Sequence, residues 1–127
     1  MTLAVDVIKK MTQRSVTLAT CESLTGGGIG AALTSVPGAS AVYRGSLVTY
    51  ARELKSTLAG VDEELIATEG VVNELTALQM ARGAQARCDA DWAVATTGVA
   101  GPTETDGARV GTVWVAYSNR FTVLPQS

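Results

Sequence analysis

A chain of 127 residues with no histidine, ten Lys and Arg against twelve Asp and Glu, and a net charge of −2 has room for one domain with a real core, leaving roughly 6,400 Å² exposed of about 19,000 Å² unfolded. The missing imidazole excludes a Ser/His/Asp triad, a Cys/His dyad and histidine metal ligation within one chain, so acid and base work falls to Lys, Tyr, Asp, Glu or a thiol. The slightly acidic balance, with no Lys/Arg run interleaved with aromatics, argues against nucleic acid as a partner.

A hydrophobic fraction of 46% with 17% charge describes a globular chain, not a disordered one. No stretch approaches the roughly 18 apolar residues of a membrane span, and no signal-peptide pattern opens the chain. Cys21 and Cys88 match no CxxC or zinc spacing and are expected as reduced thiols in a cytoplasmic protein. No metal or cofactor is expected.

Leu3, Val7, Ile8 and Met11 recur at helical spacing, with Lys9, Lys10 and Arg14 toward the end favoured by the helix dipole. Val16 to Thr20 reads as a short strand. Ser23 or Thr25 then caps a helix rich in small residues, Gly28-Ile29-Gly30-Ala31-Ala32-Leu33, suited to lying close to a neighbour. After the Pro37-Gly38 turn, Ala41 to Tyr50 contains a β-branched strand, and a helix follows to Leu58, stopped by Gly60. Asp62 starts a short helix that Gly70 ends, and Asn73 caps the next, which runs to about Cys88 despite Gly83. Trp92 to Thr96 is an apolar strand leading into Thr97-Gly98-Val99-Ala100-Gly101-Pro102. Val110 to Tyr117 reads as a strand covered on both faces, and Ser118 to Ser127 as a possible short edge strand. Strands alternating with helices predict an α/β domain, with helices on both faces of a largely parallel or mixed sheet.

Ligands of such sheets bind at the carboxyl ends of strands, which selects the loops after Thr20, Tyr50 and Thr96. The first, Cys21-Glu22-Ser23-Leu24-Thr25-Gly26-Gly27-Gly28, offers a serine beside backbone N–H groups able to meet an oxyanion or phosphate. From spacing alone, Ser23 or Thr25 reads first as a helix cap, since serine is among the commonest N-caps. Gly26, Gly28 and Ala31 match the dinucleotide fingerprint only loosely, because the following strand ends at Tyr50 where an acidic ribose ligand belongs. The second loop holds Tyr50 and Lys55, the only lysine outside the first helix, and a lysine base must be neutral. In the third, Thr97, Gly98 and Gly101 can line a ligand or simply form a tight connection. Glu22 is placed to orient Lys55 or a substrate, or merely to favour a helix start.

Four segments in this order resemble the CinA C-terminal domain family: Cys21-Glu22-Ser23-Leu24-Thr25-Gly26-Gly27; Val36-Pro37-Gly38-Ala39-Ser40; Val48-Thr49-Tyr50 with Lys55; and Thr96-Thr97-Gly98-Val99-Ala100-Gly101-Pro102 followed by Val110-Gly111-Thr112-Val113. The resemblance covers residues 3 to 117 and implies a three-layer α/β/α sandwich. It also implies a nicotinamide-nucleotide amidase, which hydrolyses the carboxamide of nicotinamide mononucleotide to nicotinate mononucleotide and ammonia. Carried over by motif, Ser23 is the nucleophile and Tyr50 and Lys55 its activating partners. Leu24, Thr25, Gly26 and Gly27 then supply the oxyanion site, with Thr97, Gly98 and Gly101 in the pocket wall. Family members continue past the last strand through a Phe-x-Gly-acidic-Arg-type segment into a further helix, whose arginine helps bind the nucleotide phosphate. Arg120-Phe121 does not reproduce that segment. The single domain over 1–127 is therefore expected to lack the terminal helical cover, exposing an apolar patch that favours a homo-oligomer. A catalytically inactive relative that binds a nucleotide or a protein partner is the alternative, and a dinucleotide-dependent oxidoreductase a third reading.

Overall fold

The computed structural model describes residues 2–102 and 107–121. Helix α1, Leu3–Arg14, begins where the Thr2 hydroxyl accepts the Val5 N–H and ends at Ser15 in the left-handed region. Because the chain still wraps α1 at Val16, whose N–H bonds the Met11 carbonyl, strand β1 starts two residues later than the apolar pattern predicts. It spans Leu18–Glu22, and all five of its residues are buried.

Helix α2 (Gly28–Thr34) follows, then a 3₁₀ turn at Ala39–Ala41, strand β2 (Tyr43–Val48), and helices α3 (Arg52–Thr57), α4 (Glu63–Glu69) and α5 (Glu74–Cys88). Strands β3 (Trp92–Gly98) and β4 (Val113–Asn119) complete the described elements. The strand order is β2-β1-β3-β4, with β1 parallel to both β2 and β3, and β4 antiparallel to β3. The sheet is therefore mixed and open, and helices lie on both faces, as the alternating pattern requires.

Period-two alternation in the two inner strands decides which layer each side chain joins. Leu18, Trp92 and Val94 pack with Ile8 of α1 and Leu33 of α2, whereas Ala19, Cys21, Ala93 and Ala95 pack with Met80, Ala81 and Ala84 of α5 and with Val61 and Ile66. Each large apolar side chain so buried contributes roughly 1.5–3 kcal/mol. Small residues let the layers approach. A Cβ on Gly83 would lie 1.7 Å from the Ala59 carbonyl oxygen, so the glycine that weakens α5 as a helix is what allows α5 to dock there. Likewise a Cβ on Gly30 would meet the Tyr43 and Ser46 oxygens at 2.6 Å.

Two expectations change. Asn73 does cap α5, through Thr76 N–H at 2.8 Å, but neither Ser23 nor Thr25 caps α2. Its N-cap is Gly27, with no side-chain bond of its own. Strand β4 is not covered on both faces either: it lies at the sheet edge, and Val113, Trp114, Val115 and Tyr117 are exposed. Its end is pinned, because Arg120 Nε pairs with Asp91 at 3.1 Å while the same carboxylate accepts the Thr17 N–H at 2.9 Å. The possible terminal strand falls largely on residues 122–127, outside the described residues; Ser118 and Asn119 belong to β4 itself.

Candidate active site

Strands β1, β2 and β3 run parallel and end together, so the three selected loops meet at one edge. Ser23 is the first residue beyond β1. Its N–H donates to the Thr96 carbonyl on β3 at 3.1 Å, and the preceding Glu22 carbonyl accepts from Thr49 beyond β2 at 2.8 Å. The ladder thus extends past the strand ends on both sides and fixes the backbone that carries the serine.

Lys55, on α3, is 1% exposed. Its Nζ donates to Ser23 Oγ across 2.9 Å, to the Thr49 carbonyl across 2.7 Å and to the Tyr50 carbonyl across 3.4 Å. Burial lowers the Lys55 amine from its ordinary range; Cys21 acts in the opposite sense and the Arg52 guanidinium adds to the lowering. As an ammonium, Nζ donates to all three oxygens; as a neutral amine, its two N–H groups serve the two carbonyls and its lone pair turns to the Ser23 hydroxyl. Here the structure answers what the spacing left open, since Lys55 and not Tyr50 meets the serine side chain. Tyr50 contributes its carbonyl, and its ring stands 73% exposed at the cleft wall.

The cleft above Ser23 has a volume of about 290 Å³ and is lined by Leu24, Tyr50, Lys55, Val72, Thr97 and Gly101 among others, near the lower end for small-molecule sites. Arg52 also lines it, and no carboxylate does among the described residues. Two larger grooves, of about 480 and 560 Å³, lie beside α1 on the other sheet face; their linings are mainly apolar.

The remaining sequence-selected residues take distinct places. Thr97 is buried, and its hydroxyl donates to the Val71 carbonyl at 2.7 Å, tying β3 to the segment before α5. Gly98 has no room for a side chain, because a Cβ would sit 2.7 Å from the Thr112 carbonyl and 3.1 Å from Leu24. Gly26, Gly27 and Gly101 all have positive φ. The Gly26 N–H is engaged by the Ser23 carbonyl at 3.0 Å, so it is not a free donor of an oxyanion site. The N–H groups of Leu24, Thr25 and Gly27 make no hydrogen bond among the described residues.

Glu22 does not approach Lys55. Alternation turns it to the α2 side, where it is fully buried, and its carboxylate accepts four hydrogen bonds. These come from Thr20 Oγ1 (2.9 Å), Thr25 Oγ1 (2.7 Å), Ile29 N–H (2.9 Å) and Gly30 N–H (2.9 Å). Burial alone would raise this carboxyl, but the bonds from Ile29, Thr25, Gly30 and Thr20 outweigh it and hold it below the usual range. The carboxylate satisfies the orphan amides of the first turn of α2, the task expected of Ser23 or Thr25. Strand parity is the signal that separates Glu22 from Lys55. Cys21, beside Lys55 and buried against Thr49, and Arg52 are neighbours of the site that spacing did not single out.

The sequence matches the CinA C-terminal domain over residues 1–125. This chain belongs to the CinA C-terminal domain family. Among similar proteins, a CinA-like protein of Frankia casuarinae is 50% identical over 112 residues, covering 88% of this chain and 26% of its own length. A CinA-like protein of Salinibacter ruber is 49% identical over 107 residues, covering 84% and 26%. The chain thus spans about a quarter of the length of these relatives. The crystal structure of competence/damage inducible protein CihA from Agrobacterium tumefaciens superposes with a TM-score of 0.88 at 43% identity, covering 93% of this chain and 72% of that one. The competence damage-inducible protein A from Klebsiella pneumoniae gives 0.89 at 36%, covering 93% and 74%. The CinA fold is therefore shared, with the Ser23–Lys55 pair standing at its strand ends. Among the described residues, no helix is long and apolar enough to cross a membrane.

Proposed function

We propose that this CinA-type domain is a nicotinamide-nucleotide amidase, hydrolysing nicotinamide mononucleotide to nicotinate mononucleotide and ammonia through Ser23. The observation that carries this reading is the 2.9 Å contact between Lys55 Nζ and Ser23 Oγ at the base of a cleft. A buried lysine held toward its neutral form is a base for a serine when no histidine exists.

Neutral Lys55 takes the Ser23 hydroxyl proton as Oγ bonds the carboxamide carbon. The carbonyl electrons move to oxygen, and the resulting oxyanion is met by N–H groups of the loop, for which Leu24, Thr25 and Gly27 are the candidates. The C–N bond breaks as the Lys55 ammonium returns the proton to nitrogen, releasing ammonia and leaving an ester on Ser23. Water, deprotonated by Lys55, adds to that ester. The second tetrahedral species then expels Ser23, which recovers its proton from Lys55, and nicotinate mononucleotide leaves as the carboxylic acid, which gives its proton to solvent.

Ser23→Ala tests the assignment by coupled ammonia release and chromatography of the mononucleotide product. The variant is expected to lose turnover while keeping a cooperative melt; turnover at the parent rate refutes Ser23 as nucleophile. A second reading, a non-catalytic binding domain, draws on the exposed apolar side of β4. Nucleotide binding by calorimetry with no ammonia from the parent chain supports it.

A further inference from the structure

We propose that Glu22, which touches neither Ser23 nor Lys55, is a positioning residue that sets the shape of the nucleophile loop. This inference rests on the reading of Ser23 as nucleophile, but not on the identity of the amide. Glu22 and Ser23 are adjacent on one extended backbone and face opposite sides of the sheet. What the carboxylate holds on one side therefore determines how the chain leaves β1 on the other.

Its two oxygens have complementary tasks. Oε1 accepts from Thr25 Oγ1 and Ile29 N–H, and Oε2 from Thr20 Oγ1 and Gly30 N–H. Thr25 stands inside the loop and also bonds Thr96 Oγ1 at 3.0 Å, the residue whose carbonyl receives the Ser23 N–H. The five-residue passage from Ser23 to Gly27 is thus held at its middle by Thr25 and at its far end by the first turn of α2. Both attachments converge on one carboxylate, and the Gly26 and Gly27 turn is closed between them. Behind it, Thr20 contacts Ser46, which bonds Tyr43 OH at 2.6 Å, so the carboxylate itself has little freedom.

Only a carboxylate answers four donors with acceptors alone. In Glu22→Gln the amide oxygen serves two donors and the NH2 faces the other two. A hydroxyl can turn to accept, but the N–H of Ile29 or Gly30 cannot, so the loop must shift. Displacement of a catalytic loop by about 1 Å costs on the order of 100-fold in rate.

The test uses the full chain and two readouts: ammonia release from nicotinamide mononucleotide, and the rate of Ser23 labelling by a fluorophosphonate, which needs the nucleophile but not the substrate. Glu22→Gln is expected to lower kcat and the labelling rate by about 10- to 100-fold, with KM within threefold and a cooperative melt retained. Thr25→Ser, which keeps the hydroxyl, is expected to lose less of both rates than Thr25→Val, which removes it. The Glu22→Gln/Thr25→Val double variant is expected to fall no further than the lower single, because both break one linkage. Labelling and kcat at parent rates in Glu22→Gln overturn the proposal, as do fully multiplicative losses in the double variant. If the parent releases no ammonia yet labelling slows in Glu22→Gln, the substrate assignment fails and the positioning role stands. Should Glu22→Gln not fold, Thr25→Val against Thr25→Ser carries the test, and equal labelling by those two refutes it.

Discussion

Replacing Lys55 by Met removes Nζ while nearly preserving the volume of a side chain that is 1% exposed. The substitution takes the base from Ser23 Oγ and leaves the Thr49 and Tyr50 carbonyls without their Nζ donor. Loss of a general base costs about 10²- to 10⁴-fold, or roughly 2.7–5.4 kcal/mol of transition-state stabilisation at about 1.36 kcal/mol per decade. The folded state responds differently. Each carbonyl left without a partner costs about 1–3 kcal/mol, whereas the penalty for burying an ammonium disappears, so the net change at pH 7 is expected within about 2 kcal/mol. The pH dependence separates these effects. Because the folded-state value of Lys55 is depressed below 10.5, the unfolded chain binds more protons between the two values, and parent stability rises with pH across that window. This contribution is complete above the unfolded value and is lost as pH falls through the folded one. The parent kcat/KM should rise through the same folded value, since only the neutral amine accepts the serine proton. Lys55→Met should show neither rise, by urea melts between pH 6 and about pH 10 and by ammonia release over the same range. Turnover within threefold of the parent, or an acid limb that persists in the variant, refutes Lys55 as the base.

Gly83→Ala places a methyl 1.7 Å from the Ala59 carbonyl oxygen, and backbone cannot yield as a side-chain tip does; a loss of about 3 kcal/mol or more is expected in urea denaturation. Asp91→Ala removes the acceptor of Thr17 and the partner of Arg120. It should cost about 1–3 kcal/mol and speed amide exchange at the Arg120 end of β4 without changing kcat. Because Glu22 is depressed below 4.5 in the folded chain, it contributes stability that is full above that ordinary value and is lost as pH falls through the folded one. Acid titration followed by circular dichroism should therefore show a steeper loss below about pH 4 in the parent than in Glu22→Gln.

The elements were largely legible because their signals are local. The α1 periodicity, the Asn73 cap and the Asp62 start act within one or two turns, and the structure realises each. What failed was set by residues distant in sequence. Nothing near Gly83 says that the Ala59 carbonyl will press against it, so a helix-weakening residue reads as a fault when it is a docking requirement. The apolar run in β4 resembles a buried strand, yet burial depends on what packs against it, and the edge position leaves Val115 and Tyr117 exposed. The site shows the same division. Glycines and a serine after a strand mark the loop, but that Lys55 reaches Ser23 while the Tyr50 side chain does not follows from how the chain turns from β2 into α3 beside the end of β1.

Glu22 marks the boundary between the two kinds of information. Its sequence position beside the nucleophile invites a direct chemical role, whereas parity along β1 forbids one: residues 20 and 22 face α2, and residues 21 and 23 face α5 and Lys55. That rule applies once the strand is placed at Leu18–Glu22, two residues beyond the predicted Val16 to Thr20. Applied through Ser23, it places an acid on the structural side of the sheet and a base on the reactive side. A carboxylate beside Lys55 would favour the ammonium and raise its pKa, opposing its use as a base. With Glu22 occupied by four donors across the sheet, the serine can be anchored by a charge that does not reach Lys55, which the proposed mechanism requires to be neutral.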